Sequence, residues 1–371
     1  MLDQKDIKEV FRTNNFDLLR LFAASQVAIL HAILVLKVRV SELAHEFLSI
    51  LFMFPGVPIF FFVSGYLISK SYESNSKINE YWSNRILRLY PALILAVTIS
   101  FVLIFASGYA GETDATFLDW VALYLAKVSF VQFYNPDFMR AYGDGVLNGS
   151  LWTITVELQF YLLVPIIYSL FNIKSDSRNI RLICLIILFF ALNRLFSMVP
   201  WQMQGEFLYK IVRVSFLPWF YMFLVGVFFQ RNFLFFHSIL AGKFWLIFPV
   251  YLAVGYFAVQ ENVDFGNNVN PFFFFMMVPL IFSFAYSMPT LAQRITRGND
   301  VSYGIYIYHM PIINCLIYFG LTGTVFYGFV ALALTLIISL LSWFLLERNC
   351  LKLKNHPFNP INRKLKEAHA R

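Results

Sequence analysis

Charge is scarce in this 371-residue chain: Asp, Glu, Lys and Arg fill 13% of positions, against 59% hydrophobic residues. An ordinary water-soluble globule carries roughly 25% charged residues, so that class is excluded. Cysteine is nearly absent. Cys184, Cys315 and Cys350 show no ligand-type spacing, which points to neither a disulfide framework nor a metal site. No linker rich in Gly, Pro or Ser divides the chain and no fixed-period repeat is visible, so a single integral domain is the simplest organisation. No cleavable signal peptide is expected. Residues 1–15 are polar and mixed in charge, and the first apolar run is too long and too studded with polar groups for a signal core. The net charge of +8 lacks a clustered basic stripe. Basic residues spread over loops beside anionic lipid account for it, and no nucleic-acid partner is implied.

What the chain has is apolar and aromatic, with 44 Phe, 20 Tyr and 7 Trp. Apolar runs near or above 18 residues recur, whereas a membrane β-barrel would show alternating segments of about ten. The expected fold is all-α, a polytopic transmembrane helical bundle of about ten spans near 16–36, 48–69, 89–108, 151–171, 181–198, 210–230, 244–260, 271–288, 301–320 and 324–346. Cytoplasmic loops carry excess Lys and Arg. Lys70, Lys77, Arg85 and Arg88, then Lys174, Arg178 and Arg181, then Arg231 and Lys243, then Arg294 and Arg297 all fall on one side. The acidic 109–150 segment, the Glu206 turn and the Glu261/Asp264 loop fall on the other. Lys37, Arg39 and Lys127 are minority exceptions. Both termini are then cytoplasmic: a segment 1–15, a membrane domain 16–346, and a basic tail 347–371 with Arg348, Lys352, Lys354, Arg363, Lys364 and Lys366. Phe117 to Tyr134 is apolar enough to be an eleventh span. Counting it would reverse every later loop, so it is read as interfacial or re-entrant on the outer side. The outer segment contains Gly143-Asp-Gly145 and either lines an acceptor entrance or serves as linker.

Polar residues inside the spans carry the rest. Arg20 and His31 lie eleven residues apart, which returns them to within about 20° of one helix face, roughly 16 Å apart along the axis. Asp17, three residues before Arg20, is placed to pair with it and orient the guanidinium. Snorkelling of Arg20 to the interface is the plainer reading. His31 falls past the midplane, about 8 Å from the outer edge, where an ionisable group is costly. It suits a base taking a proton from a hydroxyl; a hydrogen-bonded packing histidine is the alternative. Thr153, Glu157 and Tyr161 form a polar stripe on an apolar span, with Glu157 about 9 Å deep, close to the depth of His31. Glu157 either orients that imidazole or is a carboxyl bonded to neighbouring hydroxyls. Arg85 and Arg88 share a helix face and either grip phosphate or mark the cytoplasmic side. His309, two residues before Pro311, is a second buried histidine, and a packing or kink site is equally open for it.

Five segments together resemble the acyltransferase-3 family of bacterial integral membrane acyltransferases, over nearly the whole chain. They are Asp17-Leu-Leu-Arg20 with His31, Val57-Pro-Ile-Phe-Phe-Phe-Val-Ser64-Gly65, Arg85-Ile-Leu-Arg88-Leu-Tyr-Pro91, Ser150-Leu-Trp152-Thr-Ile-Thr-Val-Glu157-Leu-Gln-Phe-Tyr161 and Val301-Ser-Tyr-Gly-Ile-Tyr-Ile-Tyr-His309-Met-Pro311. Two departures are Glu347-Arg-Asn349, which lacks the family's Pro two residues after its Glu, and the lack of an esterase-like domain found in fused members. The resemblance implies that Arg20 and His31 are the family's Arg/His motif, that Arg85 and Arg88 are its paired arginines near the donor site, and that Glu157 is a functional acid. The expectation is O-acetylation, in a bacterial inner membrane, of a hydroxyl on a cell-surface glycan or lipid-linked sugar. Acetyl-CoA or another acyl-CoA is the donor substrate, with no tightly bound cofactor and no metal. His31, Glu157 and Arg20 would be catalytic and Arg85 and Arg88 donor-binding, while Asp17, Ser64, Trp152, Tyr161 and His309 support the site. Direct transfer and an acyl-histidine are both open, as is homo-oligomerisation. The rival class is a transporter or flippase with a proton path through His31, Glu157 and Arg20.

Overall fold

The computed structural model describes residues 10, 11, 13–74, 77–261, 263 and 265–353. Among them the regular elements are helical and no strand forms. In chain order they are α1 (Phe16–Val35), α2 (Glu42–Phe52), α3 (Gly56–Ser74), α4 (Ile78–Ala106), α5 (Phe117–Val128), α6 (Leu151–Leu170), α7 (Ile180–Ser197), α8 (Phe207–Arg213), α9 (Phe220–Arg231), α10 (Phe233–Leu240), α11 (Phe244–Gln260), α12 (Pro271–Ser287), α13 (Leu291–Thr296), α14 (Ser302–Tyr318) and α15 (Val325–Ser342). A π turn, Trp343–Glu347, carries α15 into α16 (Arg348–Lys352).

Among the described residues, six helical stretches are long and apolar enough to cross a membrane: Phe16–Val35, Glu42–Ser74, Ile78–Ala106, Leu151–Leu170, Ile180–Ser197 and Val325–Lys352. The pair α9 and α10, bent by 86°, makes a seventh if it counts as one span. Helices α11, α12 and α14 have 17 residues each, at the short end of what a bilayer core of about 30 Å requires.

Helix boundaries differ from the sequence reading in several places. The span expected over 210–230 is broken between α8 and α9, next to Pro218, which has no N–H to continue a helix. The opened backbone is satisfied by side chains: Gln159 Nε2 donates to Val214 O at 3.0 Å, Phe216 N donates to Gln159 Oε1 at 2.8 Å, and Trp219 Nε1 donates to Arg213 O at 2.8 Å. Irregular backbone among apolar helices is tolerated when its polar groups are met in this way. Helix α5, in the stretch read as non-spanning, opens with a Thr116/Asp119 capping box and runs only 12 residues. That is about 18 Å, too short to cross. At the other end, the helix continues past 346, and Glu347, the first residue of the expected tail, is buried inside it. Asp264 and the tail cations Lys354, Arg363, Lys364 and Lys366 lie outside the described residues.

The chain forms two compact units, Met1–Leu30 with Arg39–Lys70 and Thr153–Ser302, and His31–Val38 with Ser71–Trp152 and Tyr303–Arg371. In the first, α3 and α9 touch backbone to backbone. A Cβ on Gly65 would overlap the Phe223 carbonyl oxygen, and one on Gly226 the Phe62 carbonyl oxygen. This small-residue contact replaces the hydrophobic force that lipid-embedded helices lack between them. Fully buried Asn15 fixes the entry of α1: its Nδ2 donates to Met288 O at 2.7 Å and Phe284 O at 3.2 Å, and its Oδ1 accepts from Ala292 N at 2.8 Å.

In the second unit, Ala32 and Leu36 from the end of α1 pack with Met310, Ile313 and Leu316 of α14 and Ala331 of α15. A second cluster joins Ile104 of α4 and Trp120 and Leu123 of α5 to Tyr109, Met139, Tyr142 and Leu147. The Gly143-Asp-Gly145 turn of the 109–150 segment is tied down. Asp144 N donates to Asn314 Oδ1 at 3.0 Å, and Asn314 Nδ2 donates to Val146 O at 2.8 Å. Gly143, at φ +59°, faces Asn314 so closely that a Cβ would lie 2.6 Å from its side chain.

Candidate active site

Arg20 and His31 share the uninterrupted helix α1, about 16 Å apart along its axis. Each has its own set of partners, one in each unit.

In the first unit, Arg20 Nη2 contacts Asp17 Oδ1 at 2.5 Å and Asp300 Oδ2 at 2.9 Å. Asp17 was expected. Asp300 was not, because it lies 280 positions further along the chain, although Asp300-Val-Ser302 carries a local helix-start signature. Asp300 Oδ1 accepts from both Ser302 N at 3.2 Å and Ser302 Oγ at 2.5 Å, so one carboxylate holds the first residue of α14 and grips Arg20. Two carboxylates on a mostly buried guanidinium make an oriented cation rather than one reaching for water. Tyr161 of α6 lies within electrostatic reach of Arg20 and donates its hydroxyl to Glu157 Oε1 at 2.5 Å, which also accepts from Ser64 Oγ at 3.2 Å. Ser64, Glu157, Tyr161, Asp17 and Arg20, picked from five sequence positions, thus form one polar patch with Asp300. The four-residue spacing of Glu157 and Tyr161 brings them one above the other on α6.

In the second unit, His31 Nδ1 faces His309 Nε2 at 2.8 Å, with ring centroids 5.0 Å apart. His309 is thus a hydrogen-bond partner of His31 within this unit. The buried His309 ring is held in turn by Ile305 O, 3.1 Å from its Nδ1. Pro311 deprives Ile307 O of its helical donor, and Asn148 Nδ2 supplies one at 2.9 Å. The Oδ1 of the same Asn148 accepts from Ser150 N at 3.1 Å and Ser150 Oγ at 2.7 Å at the start of α6. Asn148 is a supporting residue that the sequence reading missed, since nothing local marks its tie to Ile307. Trp152, half-buried in the first turn of α6, follows this cap.

Also in the second unit, Arg85 and Arg88 stand one turn apart on α4, but their surroundings differ. Arg85 is buried, donates Nη1 to Tyr81 O at 2.8 Å and stacks over the Tyr81 ring at 3.5 Å. Arg88 is half-buried, with its guanidinium 5.8 Å from the Trp343 ring centroid. Trp343 opens the π turn, and such turns often mark functional positions. There a chain of hydroxyls runs from Tyr308 Oη to Ser342 Oγ at 2.8 Å and from Ser342 Oγ to Glu347 Oε1 at 2.8 Å.

Residues 13–344 match the family profile described as "Acyltransferase domain". The chain belongs to the acyltransferase-3 family. It is 31% identical over 357 residues to "Nodulation protein 10" of Rhizobium leguminosarum bv. viciae, which covers 92% of this chain and 94% of that protein. It is 25% identical over 356 residues to "O-acetyl transferase" of Shigella phage Sf6, covering 92% and 96%. Similarity to "O-acetyltransferase OatA" of Staphylococcus aureus (strain NCTC 8325 / PS 47) is 30% over 135 residues, 34% of this chain and 22% of that protein. No solved structure gives a significant match. This acyltransferase-3 member is therefore an acyltransferase and a multi-pass membrane protein. All ten residues singled out from its sequence lie within the matched region.

Proposed function

We propose that the protein O-acetylates a hydroxyl of a cell-surface glycan or its lipid-linked precursor, with cytoplasmic acetyl-CoA as donor. The observation that carries this reading is the similarity, along 92% of the chain, to a protein named an O-acetyl transferase. The chain would cross a bacterial inner membrane about ten times with both termini cytoplasmic, which puts Arg85 and Arg88 at the cytoplasmic mouth and His31 towards the outer side. Arg85 and Arg88 would hold the CoA phosphates through charge-assisted bonds, and the pantetheine arm would extend towards His31. Arg20, held by Asp17 and Asp300, offers fixed positive charge on the donor path.

His31 acts as general base. It takes the proton of the acceptor hydroxyl as that oxygen forms its bond to the thioester carbonyl carbon; the C–S bond then breaks, and the departing thiolate recovers the proton from His31. Acyl-CoA on one side and a glycan or lipid-linked sugar on the other are the partners, alongside membrane lipid. The test is purified protein in proteoliposomes with labelled acetyl-CoA and candidate glycans. Label should reach glycan with the wild type and not with His31→Ala, while both insert equally. Undiminished transfer by His31→Ala, or no transfer to any hydroxyl acceptor, would overturn the assignment.

A further inference from the structure

We infer that His309 is a positioning residue that fixes His31 as the Nδ1–H tautomer and so leaves His31 Nε2 as the basic atom. The inference rests on the reading of His31 as general base and adds which nitrogen acts and what selects it.

Ile305 O can only accept, so His309 Nδ1, 3.1 Å away, carries a hydrogen. A neutral imidazole has one N–H, hence His309 Nε2 presents a lone pair. That lone pair is aimed at His31 Nδ1 at 2.8 Å, a distance that needs one proton between the two nitrogens. The proton is therefore on His31 Nδ1, and the other nitrogen of a neutral His31, Nε2, is unprotonated. A doubly protonated His309 would reverse the assignment. It would place a charge on a ring that is 1% exposed and, among the described residues, has no carboxylate paired with it, an arrangement that burial strongly disfavours.

The second histidine is held for this task by the backbone around it. Pro311 opens the helix two residues on, and Asn148 fills the vacated acceptor at Ile307 O. The turn that sets the His309 ring is thereby kept in place. When His31 Nε2 takes the acceptor's proton, the positive charge on the ring faces His309 Nε2, an acceptor already in place before the reaction. No rearrangement is needed at that moment, and preorganisation of this kind favours the charged transition state.

The experiment uses full-length protein in bilayers, selectively labelled with 15N-histidine, with the His31 signals assigned by subtraction of a His31→Gln spectrum. The resting wild type should show His31 protonated at Nδ1 and bare at Nε2. His309→Gln, which can still present an amide oxygen near the position of Nε2, should keep that signature; His309→Leu should lose it. With acetyl-CoA and acceptor, kcat of His309→Leu should fall by tenfold or more, up to the ~10²–10⁴-fold that a general base contributes in full, with KM for acetyl-CoA little changed. His309→Gln should recover most of the loss. A wild-type His31 protonated at Nε2, or full kcat in His309→Leu, would overturn the inference. The spectrum needs neither donor nor acceptor, so a failure of the acetylation reading is distinguishable from a failure of this one.

Discussion

Replacing Asp300 with Asn separates two jobs that its carboxylate performs. Asparagine keeps an oxygen for Ser302 N and Oγ but removes the charge facing Arg20. The Arg20 side chain is 26% exposed and that of Asp300 is 9% exposed. The pair therefore falls between a surface ion pair, about 0–1 kcal/mol, and a buried one whose breakage costs about 3–5 kcal/mol. Asp17 remains 2.5 Å from the same guanidinium nitrogen and offsets part of the loss. A coupling of about 1–2 kcal/mol between Arg20 and Asp300 is expected. It is measured by a double-mutant cycle of Asp300→Asn with Arg20→Met, following unfolding in mixed micelles by tryptophan fluorescence. The parallel cycle with Asp17→Asn should give less, about 0.5 kcal/mol, because Asp17 is 45% exposed. A coupling to Asp300 smaller than that to Asp17 would refute the view that the long-range carboxylate anchors Arg20.

Three other outcomes are expected. Lys127 Nζ is buried and donates to Gln132 O at 2.7 Å, and burial pushes the amine down to about 7. The unfolded chain holds that proton to about pH 10.4, so the unfolded state binds more protons between pH 7 and 10 and stability rises with pH across that window. Lys127→Met should abolish that rise, worth on the order of 4 kcal/mol in full; a flat wild-type profile in thermal denaturation contradicts the burial argument. Gly65→Val should collide with the Phe223 carbonyl and destabilise by at least 1–3 kcal/mol, whereas Gly111→Ala, with nothing near its Cβ, should be close to neutral in the same denaturation assay. Asn148→Leu should remove the side-chain donor to Ile307 O, whose helical donor Pro311 cannot supply, at about 1–3 kcal/mol for a buried group left unmet. Equal melting temperatures for Asn148→Leu and wild type would show that this bond contributes nothing.

The helical class was legible without a structure, because runs of apolar residues approaching the bilayer thickness leave the backbone no other way to satisfy its hydrogen bonds. So were the local pairs. Asp17 with Arg20 and Glu157 with Tyr161 follow from three- and four-residue spacing alone. The interruption at 214–219 was not legible, since its open backbone is met by Gln159 from another helix and hydropathy does not see such partners.

What the sequence determined by itself is therefore what depends on neighbours along the chain: the all-helical fold, the shared face of Arg20 and His31, and the polar stripe on α6. The tertiary structure decided the partners. Arg20 meets Asp300 across 280 positions and His31 meets His309 across 278. Pairings at such separation leave no periodic trace, because they are fixed by how helices pack and not by the order of residues within any one of them. The identity of the groups that orient each ionisable side chain, and with it the choice of which imidazole nitrogen is basic, belongs to that packing.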